Sequence, residues 1–327
     1  MKNHPYKAAG FAAPKLLFFI TVCSVFNVGG GRLSAQVPQP ATAASDAPSV
    51  RQIRDLVYQP ASDGDMKLDL YLPAGDTKGP VPLVIWLHGG GWREGGRGFC
   101  PISPFAREGY AVASVSYRFT NRATFPAQIE DCKAAVRWLR AHANEYGYDP
   151  QRIGVCGESA GATLAALLGT APVIAEWGDG EGATSSAVRA VVALCPPTDF
   201  TLDDPEQDDV PGLLKSADPK QVAFGKMIRS RRTVLEAALG GPLAERRELA
   251  RIMSPRAHVT SDDPSFLLVH GDNDRLVPLS QSVLLMESLQ RANVGVELVV
   301  VAGAGHGFGR PKPELMARIK KFFDERL

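Results

Sequence analysis

The sequence predicts an α/β fold: a mostly parallel sheet covered by helices on both faces, with a small helical insertion over one end. Three observations predict it. Residues 81–87 and 111–117 are near-continuous apolar runs, as in strands buried on both faces. Ile129, Cys132, Val136 and Leu139 recur at intervals of three and four, the spacing of an amphipathic helix. Apolar runs and helical patterns then alternate to the end of the chain, the order that builds a parallel sheet.

The elements follow in turn. Residues 51–60 and 67–73 read as two strands, the second alternating Leu68, Leu70 and Leu72 with polar neighbours, as a hairpin would. After the runs at 81–87 and 111–117, a helix is expected from Pro126 to about Tyr146, opened by proline at its first turn. Further strands are expected at 152–156, 188–195, 265–270 and 296–301. Helices fall at 162–169, at 279–291 on Val283, Met286 and Leu289, and at 313–325 on Leu315, Ile319, Phe322 and Phe323. The rhythm breaks once. About seventy residues separate Cys195 from Ser265, acidic at first (Asp203, Asp204, Glu206, Asp208, Asp209) and basic in the middle (Lys226, Arg229, Arg231, Arg232). An insertion at 200–262 leaves the carboxyl ends of parallel strands, over the usual ligand crevice. It reads either as a helical cap shaping a substrate site or as a solvated helical excursion.

At 327 residues and 45% hydrophobic content, the chain can bury a large core. A net charge of +1 with mixed signs throughout gives no electrostatic case for nucleic acid or an anionic membrane surface. Lys2, Lys7 and Lys15 precede the apolar residues 16–26, too short to span a bilayer, and Leu33-Ser34-Ala35 offers a cleavage site. Residues 1–35 therefore read as a secretory signal peptide, with an uncleaved anchor as the rival reading. Residues 36–50 are a linker, and 51–327 one catalytic domain that is secreted or periplasmic, with no later membrane span. Of five cysteines, Cys23 lies in the signal. Cys156 and Cys195 fall in expected core strands, and a Cys100–Cys132 bridge is left open. No Cys/His cluster has metal-ligand spacing, and neither a metal nor a cofactor is expected. Oligomeric state is not legible.

The chemistry centres on Ser159, in Gly157-Glu158-Ser159-Ala160-Gly161, between an apolar strand and a helix. A serine at such a strand–turn–helix tip is held in a strained conformation, exposed at a helix N-terminus, where amides favour developing negative charge. Without a base the same turn is structural only. A serine hydroxyl needs a histidine, and that histidine needs an acid to fix its tautomer. Of the six histidines, His4 is in the signal, His142 lies on a helix, His258 lies in a connection, and His270 ends a strand just before a better-placed carboxylate. His306 follows the last strand within Gly303-Ala304-Gly305-His306-Gly307, a loop able to bend back over the sheet. For the acid, Asp274 lies far enough out on its loop to reach the next loop, whereas Asp272 suits stabilising its own turn. His88-Gly89-Gly90-Gly91-Trp92 runs from a buried strand into three glycines whose amides can aim at a small anion. No Gly-Lys-Ser/Thr follows to make it a phosphate loop. Gly90, Gly91 and Ala160 are the candidate oxyanion donors, His88 braces the loop, and Trp92 is a pocket wall or packing.

Taken together, these four motifs resemble α/β-hydrolase-fold carboxylesterases, in particular the hormone-sensitive-lipase-like esterases and the bacterial acetyl and feruloyl carbohydrate esterases. The likeness spans roughly residues 51–325. It implies hydrolysis of carboxylic esters through an acyl-enzyme, with Ser159 as nucleophile, Asp274 as acid, His306 as base, and Gly90, Gly91 and Ala160 as oxyanion hole. Ala162 stands where a second glycine is common, and the roughly thirty residues between Arg51 and the strand at Val81 are too few for the lipase-like helical N-terminal cap. The departures favour the compact carbohydrate-esterase type, whose pocket-lining turn resembles Cys195-Pro196-Pro197-Thr198-Asp199-Phe200. Trp92, Pro197 and Thr198 are accordingly the expected substrate contacts. The implied partner is a small-molecule or polysaccharide ester, from plant-type polymers. Other readings are an arylformamidase, a prolyl-oligopeptidase-like peptidase without its propeller, and a non-catalytic binding protein on the same fold.

Overall fold

A computed structural model describes residues 49–327, except 63, 76, 172–173, 175–176, 179–183, 203–209 and 309–311. The expected signal peptide, most of the expected linker and the acidic start of the insertion lie outside the described residues. The described residues belong to one compact unit, Asp46–Leu327.

The apolar runs become the strands β1 (Val50–Gln59), β2 (Met66–Pro73), β3 (Val81–Leu87), β4 (Ala111–Val115), β5 (Tyr148–Glu158), β6 (Ala190–Leu194), β7 (Ser265–Gly271) and β8 (Val296–Val301). They form one sheet in the order β1-β2-β4-β3-β5-β6-β7-β8. β2 pairs antiparallel with β1 and β4, and every other pair is parallel. β1 takes in Val50, the last residue of the expected linker, because Val50 pairs with Pro73.

The helices are α1 (Ala127–Ala141), α2 (Ala143–Tyr146), α3 (Ala160–Thr170), α4 (Val210–Lys215), α5 (Pro219–Leu239), α6 (Arg247–Met253), α7 (Ser280–Arg291) and α8 (Pro313–Asp324). The single helix expected at 126–146 is instead two, parted at His142, whose ring stacks on Trp138 at 4.0 Å. Among the described residues no helix is long and apolar enough to cross a membrane.

Alternate residues of β3 feed two cores, as the two-residue period of a strand requires. Leu83, Ile85 and Leu87 pack with α1, α3 and α7 on one face. Val84 and Trp86 pack with Ile319, Phe322 and Phe323 of α8 on the other. Both faces are therefore dry, and each fully buried Leu, Ile or Phe contributes about 1.5–3 kcal/mol. Cys132 lies in the first core and Cys100 in the second. All four described cysteines are free and buried, so the Cys100–Cys132 bridge left open by the sequence is not made. The parallel strands β3, β5, β7 and β8 all end on one edge, and the loops leaving that edge carry the candidate residues.

Candidate active site

Ser159 follows the last residue of β5 and precedes the first of α3. Its backbone has φ 52° and ψ −119°, a left-handed conformation costing a non-glycine residue about 1–3 kcal/mol. The surroundings hold it there. The Ser159 amide donates to Leu194 O at 2.8 Å, and its carbonyl accepts the Ala162 and Thr163 amides at 2.9 and 3.1 Å. A Cβ on Gly161 would lie 2.1 Å from Leu87 O, and one on Gly157 would lie 2.3 Å from Gly161 O. The turn can close against β3 only with glycine at both places.

His306 Nε2 lies 2.8 Å from Ser159 Oγ, and Nδ1 lies 2.7 Å from Asp274 Oδ2. Because the carboxylate only accepts, Nδ1 carries the proton, and Nε2 is left to accept the serine proton. Asp274 Oδ1 accepts the Leu276 and Val277 amides, each at 2.9 Å. Burial alone would push the Asp274 carboxyl up, but hydrogen bonds from His270, His306 and the Val277 amide hold it well below the usual carboxylate range. Asp272 does not serve its own turn as expected. Its Oδ1 accepts the Gly303 amide at 2.7 Å, while the Asn273 amide donates to Ala304 O at 3.0 Å. The turn that carries the acid is thereby tied to the loop that carries the histidine.

The glycine loop faces the serine. Gly90 has φ 113°, and a Cβ there would lie 2.1 Å from Glu94 O, so the loop doubles back only with glycine in place. Its carbonyl accepts the Arg93 and Glu94 amides, each at 3.2 Å. The amides of Gly90 and Gly91 donate to no partner among the described residues, and Ala160, opening α3, has no intrahelical acceptor. All three residues line one cleft with Ser159 and His306. His88 stacks on Tyr117 at 4.4 Å and donates from Nδ1 to Gly89 O at 2.7 Å; burial lowers its pKa. It braces the loop at its start through Gly89 O.

The cleft has a volume of about 650 Å³. Trp92 and Pro197 line it, but Thr198 does not. Thr198 is fully buried, its amide donating to Gln281 Oε1 at 2.7 Å and its hydroxyl to Gln281 O at 2.6 Å. The turn's cleft-facing positions are taken by Pro197, Asp199 and Phe200. Trp92 is both wall and packing: it is buried, and its indole Nε1 donates to Ala160 O at 3.1 Å. Within the insertion, Ser230, Arg231, Val234 and Leu235 of α5 line the cleft, with Val234 against Gly91. Sequence reasoning missed Phe99, Leu276 and Glu158, which also line it. Phe99 and Leu276 are large apolar residues in glycine-rich or polar loops, the one signal that could have marked them. Among the described residues one group of three side chains has metal-ligand proximity, Cys195, Asp274 and His306. Both ring nitrogens of His306 are already engaged, by Ser159 and Asp274.

Residues 68–289 match the family described as BD-FAE. The chain belongs to that family. The BD-FAE match runs from β2 to α7, taking in the glycine loop, Ser159 and Asp274 and ending before His306. The probable carboxylic ester hydrolase LipM of Mycobacterium tuberculosis is 30% identical over 71% of this BD-FAE chain and 53% of its own length. The chain thus spans about half the length of the curated relatives it matches. Among solved structures, a truncated carbohydrate esterase from gut microbiota superposes with a TM-score of 0.67 at 27% identity, covering 86% of this chain and 98% of that one. A thermophilic esterase of the planctomycete Thermogutta terrifontis, propionate bound, gives 0.62 at 25% identity, covering 86% and 94%. The fold is the α/β-hydrolase fold of these esterases.

Proposed function

We propose that this BD-FAE chain is a secreted serine carboxylesterase that cleaves short-chain acyl or aromatic-acid esters, carried on plant-type polysaccharides or their fragments, through an acyl-enzyme. One observation carries the reading: Ser159 Oγ, His306 and Asp274 form a continuous hydrogen-bonded chain at 2.8 and 2.7 Å, beside the amides of Gly90, Gly91 and Ala160. Ser159 Oγ attacks the ester carbonyl as His306 Nε2 takes its proton. Asp274, kept anionic, stabilises the imidazolium and holds its tautomer. The carbonyl oxygen, now an anion, takes up the glycine-loop and Ala160 amides, each such donor contributing roughly 3 kcal/mol in the transition state. Collapse expels the alcohol, which takes the proton from His306, and water repeats the sequence to free the acid.

The relatives' names support ester chemistry, and the gut carbohydrate esterase supports a sugar-borne substrate. Secretion rests on the lysines and apolar run before Ala35. The test is turnover of 4-nitrophenyl acetate through octanoate, acetylated xylan and methyl ferulate, alongside Ser159→Ala. Acetate or ferulate release that vanishes in the variant is the expected result. Turnover of N-formyl aromatic amines or dipeptide amides with no ester cleaved would replace the reading.

A further inference from the structure

His270 closes β7, is fully buried, and takes no part in the proton transfer above. Its Nε2 lies 2.9 Å from Val277 O and 3.4 Å from Asp274 Oδ2, and its Nδ1 lies 2.7 Å from Ser282 Oγ on α7. A carbonyl oxygen can only accept, so Nε2 carries a proton; with the ring neutral, Nδ1 accepts the Ser282 hydroxyl proton. Val277 O sets the tautomer, and the Ser282 hydroxyl, able to donate or accept, adapts to it.

That single N–H is aimed at two acceptors that both serve the acid. Val277 O is its nearer partner, and the amide of the same residue donates to Asp274 Oδ1. The longer approach to Oδ2 places the positive end of the N–H dipole beside the oxygen that receives His306 Nδ1. We propose that His270 is a positioning residue for Asp274: held as the Nε2–H donor by Val277 O and braced at Nδ1 by Ser282, it holds the Asp274–Val277 turn and fixes the carboxylate so that Oδ2 meets His306. The titratable groups against this carboxylate are His270, His306 and the Cys195 thiol. The thiol is pushed up to about 12 by burial and stays neutral, so the orienting dipole comes from His270. The proposal rests on Asp274 being the acid of the esterase reading.

The experiment compares His270→Met, His270→Gln and Ser282→Ala in the full chain. Methionine keeps bulk without a donor, glutamine restores an N–H, and the alanine leaves Nδ1 without its partner. Expected for His270→Met is a kcat lower by about tenfold to a hundredfold with KM within about twofold, the worth of one hydrogen bond to a charged group. The acid limb of its kcat–pH profile should move to higher pH, because a carboxylate short of one donor is more basic. His270→Gln should recover most of the kcat, and Ser282→Ala should fall between. Proton NMR of the substrate-free protein adds a readout independent of turnover: the low-field resonance of His306 Nδ1–H should move in His270→Met and return in His270→Gln. A wild-type pH profile and resonance in His270→Met overturn the proposal, as does equal loss in the Met and Gln variants with both unchanged. If His270→Met does not fold, a wild-type profile and resonance in Ser282→Ala overturn it. Absence of ester turnover by the wild type would defeat the esterase reading alone, since the resonance still tests His270.

Discussion

Trp92 and Ala160 join the glycine loop to the nucleophile helix: the indole Nε1 donates to the Ala160 carbonyl at 3.1 Å. The two contributors to the anion site leave the paired strands β3 and β5, and this bond ties them together beyond the sheet edge. Trp92 also packs edge-on against Phe200 at 5.8 Å. Trp92→Phe keeps most of that packing and removes the N–H. Stability should fall by about 1 kcal/mol and kcat by about tenfold, with KM little changed. Denaturant unfolding and steady-state kinetics check it. A change in KM alone would make the indole a substrate wall and nothing more.

Ser159 tests the strain at the turn. Alanine inherits the φ of 52°, whereas glycine adopts it freely. Both Ser159→Ala and Ser159→Gly should abolish turnover. Ser159→Gly should unfold at the higher temperature of the two, by roughly 1 kcal/mol after glycine's entropy in the unfolded chain is subtracted. Equal midpoints would mean that the strain is no larger than glycine's entropic cost, about 0.5–1 kcal/mol.

Asp272 and Asp274 separate by what each acceptor serves. Asp274→Asn should leave the fold intact and lower kcat by about a thousandfold or more, because the amide disturbs the His306 tautomer. Asp272→Ala removes only the acceptor for the Gly303 amide, so kcat should fall a few-fold with a small drop in the unfolding midpoint. The reverse ranking would move the acid to Asp272. The low position of the Asp274 carboxyl also sets an acid limit. Its folded pKa lies below the unfolded value, so its stabilising contribution is present above about pH 4–5 and is lost as pH falls further.

The inner strands were legible because each is an apolar run or an alternation bounded by turn residues, patterns that report burial; the edge strands β1 and β8 are only partly buried, and their apolar residues report pairing at the sheet edge more than burial. The serine, histidine and acid were legible for another reason. They sit at strand ends, where glycine and polar residues interrupt the apolar pattern. Thr198 was misplaced because adjacent residues of a tight turn point opposite ways, and only packing decides that Pro197 faces the cleft while Thr198 meets Gln281. The contribution of α5 was hidden for a related reason: Val234 and Leu235 look like any apolar helix face until the helix is set against Gly91. In the sequence His270 has the look of a poorer candidate base only, since its partners Ser282 and Val277 become neighbours through the turn into α7.

Glu158, beside the nucleophile, gives a pH-dependent prediction with a definite sign. Burial pushes its carboxyl up, and the nearby His306 opposes the rise without cancelling it. The carboxyl lies against the histidine loop, since a Cβ on Gly307 would come within 3.1 Å of Glu158 Oε1. A folded pKa above the unfolded value of about 4.3 means that the folded chain binds the proton more tightly. The associated stability is complete below about pH 4 and is lost as pH rises through the folded value. At pH 8 the ionised carboxylate is therefore a burden on the fold, and at pH 4 the neutral acid is not. Glu158→Gln, neutral at every pH, should raise the thermal midpoint at pH 8 by about 1–3 °C and leave it unchanged at pH 4. Thermal unfolding of both proteins at the two pH values checks this. An equal gain at both would trace the effect to packing of the amide and not to the charge.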